Sequence, residues 1–408
     1  MKKKNRLRKF FNDVHLWLGI ASGLILFIVC LTGTIYTFRT EIEHLANQSQ
    51  FYVKTDSRSV ILPVDTIITR LEKQLTGKVT SMQIPADSMM TYQLSVRPGL
   101  GQTDHDSAKA TESRPKNYFV NPYTGNLVPQ ESGLSDFFAN VMKMHRWLLL
   151  DNATGRLIVG SATIIFVFLI LSGLIIWLPA RLKNWKKGLA IKFSSNWKRI
   201  NHDLHNAFGF YACVLLLVMA LTGLCWSFEW YRDGLGKLLG AKVFRGRGEK
   251  PMQSMLPADT TAIIPLSNHI VKANILFPYR GDLRVNLPAE TRSSVSITKN
   301  KTGFFAFAGP DKVQFDQFTG KMLKRERFAD KRFNEKIADL IKPLHTGEIY
   351  GAFSKIIYFL VSLMATTLPV TGTLIWINKL KKKRKRKTIT GLRTISVSDK
   401  KPSEAEIA

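Results

Sequence analysis

Five of the chain's eight histidines sit at the boundaries of apolar segments, and four of these recur at matched places. His15 opens the stretch His15-Leu-Trp-Leu-Gly19, which closes on Leu31-Thr32-Gly33. His205 opens His205-Asn-Ala-Phe-Gly209, which closes on Leu221-Thr222-Gly223. The histidine-to-glycine intervals agree in the two copies (15 to 19 and 33, 205 to 209 and 223). His145 precedes a stretch ending Leu171-Ser172-Gly173-Leu-Ile-Ile-Trp177, and His345 one ending Val370-Thr371-Gly372-Thr-Leu-Ile-Trp376. His202 lies one helical turn ahead of His205, so the two face roughly the same way. Neutral imidazole is a good ligand for iron, and haem iron is commonly held by histidine. Zinc is the competing metal, but paired histidines with no carboxylate or cysteine cluster make a poor zinc site. Cys30, Cys213 and Cys225 all fall in apolar segments, so neither a disulfide framework nor a cysteine metal site is on offer.

The elements that must position these histidines are four apolar windows, approximately Leu16–Phe38, Leu157–Leu178, Phe208–Phe228 and Phe353–Ile377. Each reaches the roughly 20 residues that cross a hydrocarbon core of about 30 Å. Charge is nearly absent from them except for Lys355. Buried soluble helices are usually shorter and seldom apolar all round, which disfavours that reading for four windows at once. The first window lacks a small-x-small cleavage site and reads as a retained anchor. Basic residues crowd the N-terminus (Lys2, Lys3, Lys4, Arg6), the link after the second window (Arg181, Lys183, Lys186, Lys187) and the tail (Lys381–Lys387). The positive-inside rule puts these three on the cytoplasmic side, with both termini inside. Such runs meet anionic lipid headgroups, which accounts for most of the +29 net charge without nucleic acid.

The organisation expected is a basic N-terminus at 1–15, membrane helices at 16–38, 157–178, 205–228 and 352–377, and outer modules at 39–156 and 229–351. A basic inner loop occupies 179–204 and a basic tail 378–408. Gly99–Lys116 reads as a polar, mobile excursion, and Thr388–Ala408 as disordered for want of apolar periodicity. The outer modules repeat too: Phe119-Val-Asn-Pro-Tyr-Thr-Gly125 matches Gln314-Phe-Asp-Gln-Phe-Thr-Gly320, each reading as strand, turn and strand. Thr91–Arg97 and Ser293–Thr298 alternate like half-buried strands, and Val64–Leu75 and Ala262–Ala273 look helical. The fold class is therefore a membrane protein, mainly α in the bilayer. It is a four-helix bundle of two parallel repeats, about Met1–Leu189 and Ala190–Leu380, carrying two extracytoplasmic α+β modules.

Topology sorts the histidines: His15, His202 and His205 lie at the inner face, His145 and His345 at the outer. Any one of them reads most simply as an interfacial side chain. Matched pairs at both faces point instead to two b-type haems with bis-histidine ligation, His15 with His205 and His145 with His345. His202 is an alternative to His205 or a partner for a haem propionate, and Arg146 is a second propionate candidate. The helix glycines serve either close helix packing or clearance for a flat macrocycle. Trp17, Trp147, Trp177, Trp226 and Trp376 read as interfacial belt residues.

The His-x-Trp-x-Gly…Thr-Gly first helix, His145-Arg-x-Leu, the His-x-x-x-Gly third helix and Leu344-His-Thr-Gly-Glu348 resemble the PepSY-associated transmembrane helix family, over about residues 5–380. That family includes iron-regulated inner-membrane proteins and ferric-siderophore reductases of Gram-negative bacteria. The resemblance implies PepSY-like outer modules and a haem-dependent oxidoreductase of the bacterial inner membrane. It also implies reduction of ferric iron, held by a siderophore or other chelate, on the periplasmic side. The histidines carry over onto His15, His145, His205 and His345, and less directly onto His202. Some relatives carry a fused flavin reductase domain; the residues after Ile377 are too few for one, so the electron donor is expected to be a separate protein, a quinol or a soluble reductant. A chelate docked between the two modules would meet a basic surface (Arg280, Arg284, Lys321, Lys324, Arg325, Arg327). The rival readings are a haem-free PepSY protein that binds or regulates envelope proteases, and an iron or siderophore transporter. The transporter ranks last because no charge sits mid-membrane.

Overall fold

The computed structural model describes residues 2–54, 59–98, 115–131, 133–178, 185–186, 188–244, 251–255 and 264–398. The chain forms two compact units: one of residues 1–34, 143–227 and 359–408, the other of 35–142 and 228–358. In chain order the first half runs α1 (Lys2–Thr37), α2 (Arg39–Ala46), α3 (Gln48–Phe51), α4 (Val64–Leu75), β1 (Gly77–Ile84), β2 (Tyr92–Pro98), β3 (Lys116–Val120), β4 (Leu127–Val128), α5 (Gly133–Trp147) and α6 (Asn152–Trp177). The second runs α7 (Trp197–Ser227), α8 (Glu229–Leu239), α9 (Leu266–Leu276), β5 (Gly281–Asn286), β6 (Val295–Lys301), β7 (Asp311–Phe315), β8 (Met322–Glu326), α10 (Phe333–Thr346) and α11 (Gly351–Ser398).

Among the described residues four helices are long and apolar enough to cross a membrane: Arg6–Thr37, Asn152–Trp177, Trp197–Ser227 and Gly351–Lys382. Within the helical unit, Ala212, Leu216, Val361 and Ala365 are buried together with Cys30, Phe166 and Leu368 against them. Leu26, Ala162 and Leu169 form a second cluster between α1 and α6. Close approach rests on small residues: a Cβ at Gly23 would lie 3.9 Å from Pro369 Cβ. The α6 helix starts cleanly because the Asp151 carboxylate accepts from the Ala153 and Thr154 amides. Trp177 departs from the belt expectation, since its ring stacks on Phe210 at 3.9 Å and its indole donates to the Gly188 carbonyl.

Two sequence expectations about the flanks change. The basic N-terminus is helical from Lys2, and α11 runs on to Ser398 where disorder was expected from Thr388. Lysine and arginine are good helix formers, and extending a nucleated helix costs far less than starting one. Residues 399–408, most of the polar 99–116 excursion, and residues 181, 183 and 187 of the basic link lie outside the described residues.

In the other unit the two expected modules share one sheet. Its eight strands run in the order β4-β3-β2-β1-β5-β6-β7-β8, all antiparallel, and the second half of the order mirrors the first. The seam is the β1–β5 ladder, Ser81 opposite Asn286 through Ile84 opposite Leu283. Met82 and Val285 face each other across it and are buried. A chelate docked between the modules has no gap to enter there, because the junction is itself a strand pair with one continuous core. That core joins Ile67 and Leu71 of α4, Leu94 and Val120, Ala273 of α9, Ile297 and Phe315. The expected helix at Ala262–Ala273 is α9, beginning at Leu266; residues 262 and 263 lie outside the described residues.

Both repeated turns form as the sequence suggests. Gly125 (φ +73°) and Gly320 (φ +63°) take the left-handed conformation that glycine adopts without strain. In each, a side-chain oxygen at the fourth position before the glycine accepts backbone amides: Asn121 from Tyr123, and Asp316 from Phe318 and Thr319. Lys355, the one charge in the fourth window, is buried with its Nζ 2.8 Å from both oxygens of Glu41. That pairing satisfies a charge that bare lipid could not.

The Asp65 carboxylate of α4 accepts the Leu266 and Ser267 amides at 2.7 and 3.1 Å, capping α9 from the other half of the sheet unit. Asp65→Ala should therefore lower stability by about 1 kcal/mol, the typical worth of such a cap. Urea denaturation of the full chain, followed by circular dichroism of the sheet, checks this.

Candidate functional site

The helical unit brings His15 of α1 and His205 of α7 together. Their ring centroids lie 6.3 Å apart, with the planes at 87°. Each ring is fastened by a third helix. His15 Nδ1 lies 3.0 Å from the Ser172 hydroxyl of α6, and His205 Nδ1 lies 2.9 Å from the Thr371 hydroxyl of α11. A Cβ on the following glycine would crowd the same ring: at Gly173 it would come 3.2 Å from His15 Cε1, and at Gly372 it would come 3.2 Å from His205 Cε1. Asn201, one turn before His205, donates to the Thr371 carbonyl at 3.0 Å and ties α7 to α11 beside the site.

His145 repeats this arrangement towards the far end of α1. Its Nδ1 lies 2.9 Å from the Val29 carbonyl and 3.3 Å from the Thr32 hydroxyl, and a Cβ at Gly33 would sit 3.1 Å from its Cε1. Residues 15 and 29 on one helix are separated by about 21 Å of rise, so His145 is held well away from the His15–His205 pair. Burial holds His145 below the ordinary imidazole range, with the Arg146 charge adding to it against the Val29 hydrogen bond. The ring is neutral at pH 7, the form that binds metal. Arg146 lies over the Trp147 ring at 4.8 Å.

The remaining sequence candidates fall elsewhere. His202 is exposed, with its Nδ1 3.4 Å from the Asn206 amide and 3.7 Å from the Asp203 carboxylate. Asp203 is itself buried and paired with Arg199 at 2.9 Å. Of the two histidines on α7, it is His205 that meets His15. His345 occupies the last turn of α10, in the sheet-bearing unit, where α10 ends on Gly347 in the left-handed conformation. The basic residues Arg280, Arg284, Lys321, Lys324, Arg325 and Arg327 are all exposed in that unit.

What the sequence reading missed is the role of the hydroxyl–glycine pairs. The glycines at 33, 173 and 372 make room for a histidine ring, and the preceding Thr32, Ser172 and Thr371 bond it. The signal was present, because a Ser or Thr directly precedes the glycine near the end of all four windows, at 32, 172, 222 and 371. Glycines one turn beyond the facing histidines behave differently. A Cβ at Gly209 would meet nothing within 4 Å, and one at Gly19 only Leu169 Cδ2 at 3.8 Å. Gly209 borders open space, while Gly19 is in ordinary van der Waals contact with α6.

Compared with curated proteins, the chain finds no match. A family model for the PepSY-associated TM region matches residues 13–379, which takes in all four long apolar helices and the whole sheet unit between them. The chain is a multi-pass membrane protein and belongs to the PepSY-associated transmembrane family.

Proposed function

We propose that the chain is a di-haem electron-transfer protein of the bacterial inner membrane, reducing ferric iron in a siderophore or other chelate on the periplasmic side. The observation that carries this reading is the 6.3 Å separation of the His15 and His205 rings. A metal–imidazole bond of about 2.0–2.1 Å, with roughly 1.1 Å from nitrogen to ring centre, would set two opposed rings about 6.3 Å apart. A bare metal ion fits less well, because among the described residues no three His, Cys, Asp or Glu side chains gather to hold one. Two histidines alone suit an iron that arrives with four ligands of its own. The open space at Gly209, one turn beyond His205, leaves room for a flat group.

His15 and His205 hold the inner haem in this reading. The sequence repeat assigns His145 and His345 to the second, with Arg146 as a propionate partner and His202 outside the ligand set. A bound haem supplies one-electron exchange between ferric and ferrous iron. The chain's own residues fix the ligand rings, exclude water through the apolar bundle, and place a basic surface on the sheet unit. Arg284, Lys321 and Arg325 would attract an anionic ferric chelate. Ferrous iron is held more weakly by hard oxygen donors, so reduction releases the metal. The basic N-terminus, inner link and tail put both termini in the cytoplasm, where a quinol or a separate reductase supplies electrons.

Purified full-length protein in lipid nanodiscs should show a haem spectrum that dithionite reduces, at close to two haems per chain. His15→Ala and His205→Ala should each remove one haem, and His145→Ala and His345→Ala the other. A chain without reducible haem would sink the reading. A haem-free PepSY protein acting on envelope proteases would then stand in its place. Four alanine variants with unchanged haem spectra would also sink the reading, by moving the ligands elsewhere.

Reduced protein mixed with an anionic ferric chelate should reoxidise with formation of ferrous iron. The second-order rate should fall as salt rises, because exposed charges are screened beyond about 8 Å at physiological ionic strength. Stopped-flow absorbance at two salt concentrations reads both effects.

A further inference from the structure

The hydroxyl that touches each ring has already committed its own proton. Ser172 Oγ donates to the Leu169 carbonyl at 3.2 Å. Thr371 Oγ1 donates to the Thr367 carbonyl at 2.9 Å, with the Leu368 carbonyl at 3.1 Å. Thr32 Oγ1 donates to the Ile28 carbonyl at 2.6 Å, with Val29 at 3.0 Å. Thr222 makes the same back-bond, to the Val218 carbonyl at 2.6 Å. A serine or threonine hydroxyl has one proton and two lone pairs. With the proton spent on the helix backbone, only a lone pair is left for the imidazole.

We infer that Ser172, Thr371 and Thr32 are positioning residues that place the proton of His15, His205 and His145 on Nδ1 and so leave Nε2 unprotonated, the form in which it can ligate. His145 makes the case by itself, because Val29 offers Nδ1 a carbonyl oxygen, which can only accept. For His15 and His205 the same conclusion follows from the committed hydroxyl protons. The opposite tautomer would set an Nδ1 lone pair against an oxygen lone pair at 2.9–3.0 Å. Imidazole side chains in water favour the proton on Nε2, so the helices reverse the ordinary preference. A ligand histidine that donates its other N–H is held in orientation and made more basic. The glycine after each hydroxyl completes the device: a Cβ there would come within 3.1–3.2 Å of the ring's Cε1 and push the ring outward by a few tenths of an ångström.

This inference rests on the ligand reading above, but its first test needs no haem. In the haem-free full-length chain, labelled with 15N-histidine in nanodiscs, His15 and His205 should show a protonated Nδ1 and a bare Nε2. Thr371→Val, which keeps the shape and removes the oxygen, should abolish that signature at His205 and leave His15 unchanged. Thr371→Ser should restore it, and Ser172→Ala should act on His15 alone. Haem titration then reads the consequence: Thr371→Val should weaken binding about 10–100-fold and shift the midpoint potential upward, because a less basic ligand favours ferric iron less. Nε2–H at His15 and His205 in the parent overturns the inference, as does an unchanged nitrogen spectrum in both Thr371→Val and Ser172→Ala. Failure of the parent to bind haem would strike the proposed function alone, since the tautomer is read without it.

Discussion

A histidine inside an apolar helix bundle has two ring nitrogens and no water to satisfy them. One nitrogen must find a partner in the protein, and helices offer few, because their backbone groups already bond one another. The solution here is a hydroxyl that stays bonded to its own helix and still has a lone pair to give. Ser172 and Thr371 each do this at 2.9–3.0 Å from a ring on another helix. The same bond therefore fixes where the ring sits, how it is turned and how α6 and α11 lie against their neighbours. It also explains why glycine follows the hydroxyl at Gly173 and Gly372, where a Cβ would press on Cε1 at 3.2 Å. Helix packing and ligand geometry are thus one constraint, met by two residues per helix.

The sheet-bearing unit follows a different economy. A small α+β hairpin module has one apolar face and an exposed edge, and neither is stable alone. Pairing β1 with β5 removes one edge from each half and merges two small cores into one. Asp65 reinforces the seam by capping a helix from the other half.

The legible parts of this protein were those that depend on composition and local period. The four windows announce themselves by length and apolarity, and α4 forms over the very residues, Val64–Leu75, whose pattern suggests it. The turns at Gly125 and Gly320 were readable because one side chain and one glycine determine them. The β1–β5 seam was not, since nothing in Gln83 or Arg284 marks them as neighbours across some two hundred residues. Helical period left His202 and His205 nearly equivalent; the repeat spacing favoured His205, and it is His205 that meets His15 while His202 is exposed. The tail misled because low apolarity was read as disorder, while its lysines and arginines extend a helix already begun.

The glycines show why the chemistry was harder to read than the topology. Packing and cofactor clearance both predict small residues in a membrane helix; Gly23 closely approaches Pro369, while Gly209 borders open space. The third use, seating a ring, is visible only when the hydroxyl beside the glycine is considered as a hydrogen-bonding group with one proton to account for. Once that proton is assigned to the helix, the orientation of the His15 and His205 rings follows, and the two stand 6.3 Å apart.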